Sequence, residues 1–192
     1  MKSILIINGS LGDESGNTHV LIQHMLPQFK EKCHVDILNL QSFFKSQSST
    51  EMLVTMLKKA DGFIFTSGTY WDSWGSPMQM FLEKITEFES SGIMFGKPVA
   101  VVITMHSVGG KSVLSRLQGV LNTLGFLIPP MSGMVYSLAG KLAIEKGSSF
   151  SDDFWSLEDL QVISHNLATA LKLNARYVAW PVDKDDPKRI WI

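Results

Sequence analysis

Apolar runs of strand length alternate along this chain with longer segments whose apolar residues recur at helical spacing. Ser3-Ile4-Leu5-Ile6-Ile7 leads, and from Thr18 to Phe29 the residues Val20, Leu21, Met25 and Phe29 share one face of a helix. "HVDIL" (34–38) then predicts a second strand. Thr50 to Ala60 places Met52, Leu53, Met56 and Leu57 at helical spacing behind a Ser49 or Thr50 cap, and "GFIFTS" (62–67) follows as a third strand. A helix from about Pro77 to Phe88, the strand "PVAVVIT" (98–104) and a helix from about Lys111 to Leu124 complete two further units. Beyond "GFLIPP" and a less regular stretch containing "GMVYS", a last helix is expected from about Asp152 to Leu173, with Leu157, Leu160, Ile163, Leu167, Ala170 and Leu171 turned inward. The tail from about residue 176 has no period and is expected to pack as an arm on a neighbouring molecule.

A strand such as "PVAVVIT", apolar without alternation, is tolerated where both of its faces are buried. Interleaved with amphipathic helices, such strands predict a parallel sheet covered on both sides, a doubly wound α/β domain. In these sheets ligands bind beyond the carboxyl ends of the strands, where strand order reverses. The loops after the first, third and fourth strands are therefore the candidate site.

Composition narrows the partners. The 192 residues, 45% hydrophobic, suit one domain spanning 1–192. Seventeen basic and 18 acidic residues leave a net charge of -1, so no global field draws the chain to nucleic acid or anionic lipid. The apolar runs fall far short of the roughly 20 residues a membrane span requires, and the start "MKSILIINGS" does not read as a signal peptide, so a cytoplasmic protein is expected. With a single cysteine, Cys33, an internal disulfide or a cysteine-ligated cluster within one chain is excluded, and no metal site is expected.

The first loop, "NGSLGDESGNTHVL" (8–21), runs from a strand end into a helix start, where free N–H groups and the positive end of the helix dipole hold anions. Ser10, Ser15, Asn17 and Thr18 add donors, and Gly9, Gly12 and Gly16 let the backbone come close. The loop has no Lys or Arg and contains Asp13 and Glu14, which favours one phosphate monoester over a magnesium triphosphate; its glycines do not form G-x-G-x-x-G either. An ordinary solvated turn capped by Ser15 or Asn17 would use the same residues. The second loop, "SGTYWDSWGSPMQMFLEKI" (67–85), sets Tyr70, Trp71 and Trp74 where water normally favours polar residues. A flat conjugated ring would explain them, read by the backbone of Thr69 to Ser73, as would a subunit interface. The third, "HSVGGK" (106–111), exposes N–H groups at Gly109 and Gly110 beside His106, Ser107 and Lys111, or is simply a tight helix-start turn.

Together the three loops resemble the NAD(P)H-dependent FMN reductase family of flavodoxin-like proteins, with its quinone reductase relatives, over roughly residues 1 to 175. The first is similar to the family's G-S-(variable)-N-T phosphate loop, the second to its T-P-x-Y segment ending in K-x-F-L-D-R, and "HSVGGKSVLSRLQGVLNTLGFLIPP" to its glycine pair, helix and L-G-F/M-x-x-x-P stretch. The resemblance implies a five-stranded sheet in the order 2-1-3-4-5. It also implies FMN phosphate on Ser10, Ser15, Asn17 and Thr18, the isoalloxazine lined by Thr69, Tyr70, Trp71, Asp72 and Ser73, and its pyrimidine side closed by Ser107, Gly109 and Gly110. Gly68 stands where the family has a proline, the phosphate loop lacks the family's arginine and is one residue longer, and the arginine associated with the nicotinamide phosphate is missing.

The activity implied is transfer of hydride from NADH or NADPH through FMN to a quinone, a flavin or a similar small acceptor. The cofactor carries that chemistry, so no acid, base or nucleophile is assigned, although His106 and Lys111 could stabilise reduced flavin. A flavodoxin-type electron carrier would share the phosphate loop, but the chain lacks the acidic surface that steers such carriers. A flavodoxin-fold binding module without activity is the third reading. The aromatic second loop and the Trp-containing tail predict a homodimer or homotetramer.

Overall fold

The computed structural model describes residues 1–30, 32–46, 49–89, 91–150, 153–179 and 181. Five parallel strands, β1 (Lys2–Asn8), β2 (Cys33–Asn39), β3 (Gly62–Gly68), β4 (Val99–Met105) and β5 (Gly133–Ser137), pair in the order β2-β1-β3-β4-β5. This is the order that the resemblance implies. Ile6 lies beside Ile37 and Ile64, and Val101 beside Phe65 and Gly133, so apolar side chains form rows across the sheet.

Because side chains alternate across a strand, each strand feeds two cores. Leu5, Ile7, Phe63, Phe65, Val101 and Ile103 point to one face, covered by α2 (Leu40–Lys45), α3 (Thr50–Lys59), α4 (Ser76–Ile85) and α5 (Gly110–Thr123). Ile4, Ile6, Ile64, Ala100 and Val102 point to the other, covered by α1 (Asn17–Met25) and α7 (Leu160–Ala170). Burial of both faces is the reason these strands read as unbroken apolar runs. Among the described residues no helix is long and apolar enough to cross a membrane.

Some boundaries differ from the periodic reading. The first helix gives way to a 3-10 turn at Leu26–Phe29, where Pro27 cannot supply the N–H that a continuing α-helix needs. The last helix begins at Leu160, after a 3-10 turn whose Ser156 and Asp159 form a reciprocal cap; Asp152 lies outside the described residues. "GMVYS" is the edge strand β5, and α2 and α6 (Leu138–Glu145) are helices that the periodicity does not predict. Residues 174–179 have no regular structure, and the rest of the expected arm, apart from Pro181, lies outside the described residues.

The amino ends of β1 and β3 are locked by Asp61. Its carboxylate accepts from Lys2 Nζ at 2.9 Å and from the Ser3 N–H at 2.8 Å. Burial pushes this carboxyl up, but those two donors outweigh it and hold the pKa below the ordinary 3.8. A lowered carboxyl pKa stabilises the fold above the unfolded-state value and loses that contribution as the pH falls through the folded-state value. Asp61→Asn is therefore expected to lower the thermal midpoint at neutral pH, with the gap from wild type closing as the pH drops below 3.8; unfolding followed across a pH series checks this.

Candidate functional site

The carboxyl ends of β1, β3 and β4 carry three loops that are fastened to one another. At the end of β1, Asn8 is fully buried and its carboxamide makes four hydrogen bonds. Nδ2 donates to the Asp13 carbonyl at 3.0 Å and to Asn39 Oδ1 at 2.9 Å. Oδ1 accepts from the Ser10 N–H at 3.2 Å and from Ser10 Oγ at 2.9 Å. The two loop carboxylates are drawn towards β2 and α2: Asp13 Oδ2 accepts from Ser42 Oγ at 2.6 Å and Glu14 Oε1 from Asn39 Nδ2 at 3.2 Å. Ser15 Oγ donates to the Gly12 carbonyl at 2.8 Å. Helix α1 therefore starts at Gly16 without a side-chain cap, and the N–H groups of Asn17 and Thr18 meet no acceptor among the described residues. Gly9 passes so close to α4 that a Cβ there would lie 2.6 Å from the Met78 side chain.

In the β3 loop, Thr69 Oγ1 donates to the Thr104 carbonyl at 3.0 Å, and Tyr70 Oη accepts from the Leu11 N–H at 3.2 Å. Tyr70 and Ser73 exchange backbone hydrogen bonds of 2.8 and 3.0 Å around a two-residue turn. Its central residues, Trp71 and Asp72, have φ values of +48° and +58°, a left-handed conformation that non-glycine residues rarely adopt. Trp71 is fully exposed. The turn is braced by the Arg116 guanidinium, which donates to the Asp72 carbonyl and lies 5.2 Å from the Trp74 ring. Gly109, at φ +83°, is part of the same brace: a Cβ on it would sit 2.0 Å from Asp72 Oδ1.

A cavity of about 560 Å³ opens above these strand ends, within the range usual for cofactor sites. Of the residues singled out by sequence, Ser10, Gly12, Gly16, Asn17, Thr18, Thr69 and Tyr70 line it, as does His106. Thr18 and Thr104 share a 2.9 Å hydroxyl hydrogen bond in its wall. Ser15, Trp71, Asp72, Ser73, Ser107, Gly109 and Gly110 stand outside its lining, and Lys111 Nζ lies 5.3 Å from the Trp155 ring instead. His24, Tyr136, Leu138, Lys141 and Leu157, which loop reading does not single out, complete the wall. Among the described residues no carboxylate lines the cavity.

A 2-1-3-4-5 parallel sheet with an uncapped helix start below a strand-end cavity has the arrangement of flavodoxin-like flavoproteins. Residues 2–139 match the NADPH-dependent FMN reductase family, and the chain belongs to that family, a family of flavin-dependent oxidoreductases. No curated protein matches it in sequence. Among solved structures, it is similar to RosB with a bound 8-demethyl-8-formylriboflavin-5'-phosphate intermediate: 13% identity, TM-score 0.72, covering 90% of this chain and 79% of that one. The flavoenzyme NAD(P)H:(acceptor) oxidoreductase FerB from Paracoccus denitrificans shares 16% identity at TM-score 0.67, covering 90% and 98% of the two chains. A flavodoxin from the domain Archaea shares 15% at TM-score 0.61, covering 90% and 100%. At these identities the likenesses bear on fold.

The left-handed Trp71 gains nothing from burial to offset its conformational cost of about 1 to 2 kcal/mol. Trp71→Asn, which suits that conformation, is therefore expected to raise the stability of the single chain by about 1 kcal/mol, read at protein concentrations low enough to keep it monomeric. A thermal midpoint that falls instead would show that the indole packs in the native state.

Proposed function

We propose that this chain passes hydride from NADH or NADPH, through FMN held at the strand ends, to a small acceptor such as a quinone or a free flavin. The observation that carries this is the pair of N–H groups at the start of α1 that, among the described residues, have no partner and face a cavity with no lining carboxylate. The residues fit the group. Asn17 and Thr18 would hold its phosphate, with Ser10, whose hydroxyl and N–H both donate to Asn8, and Ser15 fixing the loop backbone beneath it. Thr69 and Tyr70 would meet the ring, the backbone of Trp71, Asp72 and Ser73 would border it, and Ser107, Gly109 and Gly110 would close its pyrimidine side. When bound, FMN supplies reversible two-electron chemistry that links a nicotinamide donor to an acceptor. The protein's own work is to place the two substrates' ring planes, exclude water, and present the His106 imidazole to charge developing at the ring edge.

The fully exposed Trp71 and the 75%-exposed Val108, both beside the cavity loops, support a homodimer or homotetramer with its sites near the interface. Light scattering at micromolar concentration is expected to return a multiple of the 21.4 kDa chain mass; the monomer mass would count against this assembly.

Asn17→Ala combined with Thr18→Ala is expected to weaken FMN binding by about 1.5 to 3 kcal/mol for each donor lost to the charged phosphate. Flavin titration of the apoprotein reads this directly, and unchanged affinity would show that neither side chain meets the phosphate. Anaerobic mixing of the FMN-loaded protein with NADH and with NADPH tests the reaction itself. Rapid bleaching is expected of a reductase, and a flavin that stays oxidised with both would leave an electron carrier.

A further inference from the structure

The cavity continues past the strand ends. Asn17, Val20, Leu21 and His24 fall at i, i+3, i+4 and i+7 of α1 and all line it, so it follows the helix for two turns. His24 lies on the order of 10 Å along the axis from the phosphate-binding end. Helix α6 forms the facing wall with Leu138 and Lys141.

This lobe has a chemistry of its own. Val20, Leu21, Leu138 and Leu157 give it apolar walls, the side chains of His24, Lys141, Tyr136 and Asn17 are its polar groups, and no carboxylate lines it among the described residues. The partner of Lys141 is Glu145, 3.6 Å away one turn on, and both side chains are about half exposed, at 48% and 55%. Such a pair is weak, and an anion arriving between apolar walls can displace it. The cradle end of the cavity is the opposite case: among the described residues it has N–H groups but no side-chain cation. One phosphate at the cradle leaves Lys141 with only its weak Glu145 partner, and His24 with no charged partner among the described residues.

We propose that the lobe between α1 and α6 is a subsite for the second substrate, and that it takes an anionic group on an apolar or aromatic stem, recognised by Lys141 and His24. The proposal rests on the reading above, which gives the strand ends to FMN. Two molecules carry this chemistry: the nicotinamide nucleotide, through its phosphates, and an acceptor bearing a sulfonate or carboxylate.

The test uses FMN-loaded protein and a matched pair of probes, anionic 2-naphthalenesulfonate and neutral 2-naphthalenesulfonamide, in equilibrium dialysis. Wild type is expected to bind the sulfonate about tenfold more tightly. The double variant Lys141→Gln/His24→Gln is expected to lose that preference while keeping its FMN content, its sulfonamide affinity and its thermal midpoint. Stopped-flow half-reactions then separate the sources. A raised apparent Kd for NADPH during flavin reduction assigns the lobe to the nucleotide. A KM raised for a naphthoquinone sulfonate but not for menadione assigns it to the acceptor. The proposal is overturned if wild type shows no preference for the sulfonate, if the preference survives the double variant, if that variant loses FMN, or if neither half-reaction changes. Should the protein take up no FMN, the functional reading falls, and dialysis of the protein as purified still decides whether the lobe selects anions.

Discussion

The Asn8 carboxamide has all of its hydrogen-bonding capacity engaged in a place that water cannot reach, and the first loop takes its shape from that arrangement. Because Ser10 bonds to Asn8 and Ser15 to the Gly12 carbonyl, neither hydroxyl caps α1. Because Asn39 and Ser42 hold the two acidic side chains, neither carboxylate fills the space in front of the helix. What remains is a helix start with free donors, no competing anion and a closely approaching backbone. These are the terms on which a loop without lysine or arginine can hold a phosphate.

The other loops are pinned to this one across the strand ends. Tyr70 reaches Leu11, Thr69 reaches the Thr104 carbonyl, and Thr18 meets the Thr104 hydroxyl. Each contact joins segments far apart in sequence, so the site is assembled by the sheet and does not form within any one loop. Such cross-bracing suits chemistry that depends on the placement of two ring planes and requires no acid or base.

The strands were legible because both of their faces are buried, which turns "SILII", "GFIFTS" and "PVAVVIT" into unbroken apolar runs. The missed elements lacked that advantage. Helix α2 has six residues, too few to establish a period, and α6 is apolar on several sides with only Gly140 buried, so no single face stands out. At the site, the glycine, serine and asparagine content of the first loop pointed to an anion cradle, but composition does not tell which way a loop side chain turns. Ser15 faces its own loop, Trp71 faces solvent, and Gly109 serves the packing of Asp72. Asn8 reads as the last residue of a strand; a polar residue closing an apolar run just before Gly-Ser was the available signal. His24, Tyr136 and Lys141 come from elements remote in sequence, and topology alone brings them to one wall.

The two sides of the cavity differ mechanically. On one side Arg116, Trp74, Gly109 and Asp72 tie the β3 turn to α5 through a hydrogen bond, a cation–π contact and a close backbone approach. On the other side α6 is attached by its Ser137 cap and by the Ala139 N–H to the His106 carbonyl, with little burial behind it. An unequal jaw of this kind adapts through its compliant half. If α6 shifts, guests of different bulk would be admitted on its side while the β3 turn and α5 keep their contacts. Breadth of acceptor choice would then be a property of one lightly anchored helix, and could change in evolution without disturbing the surfaces proposed to hold FMN.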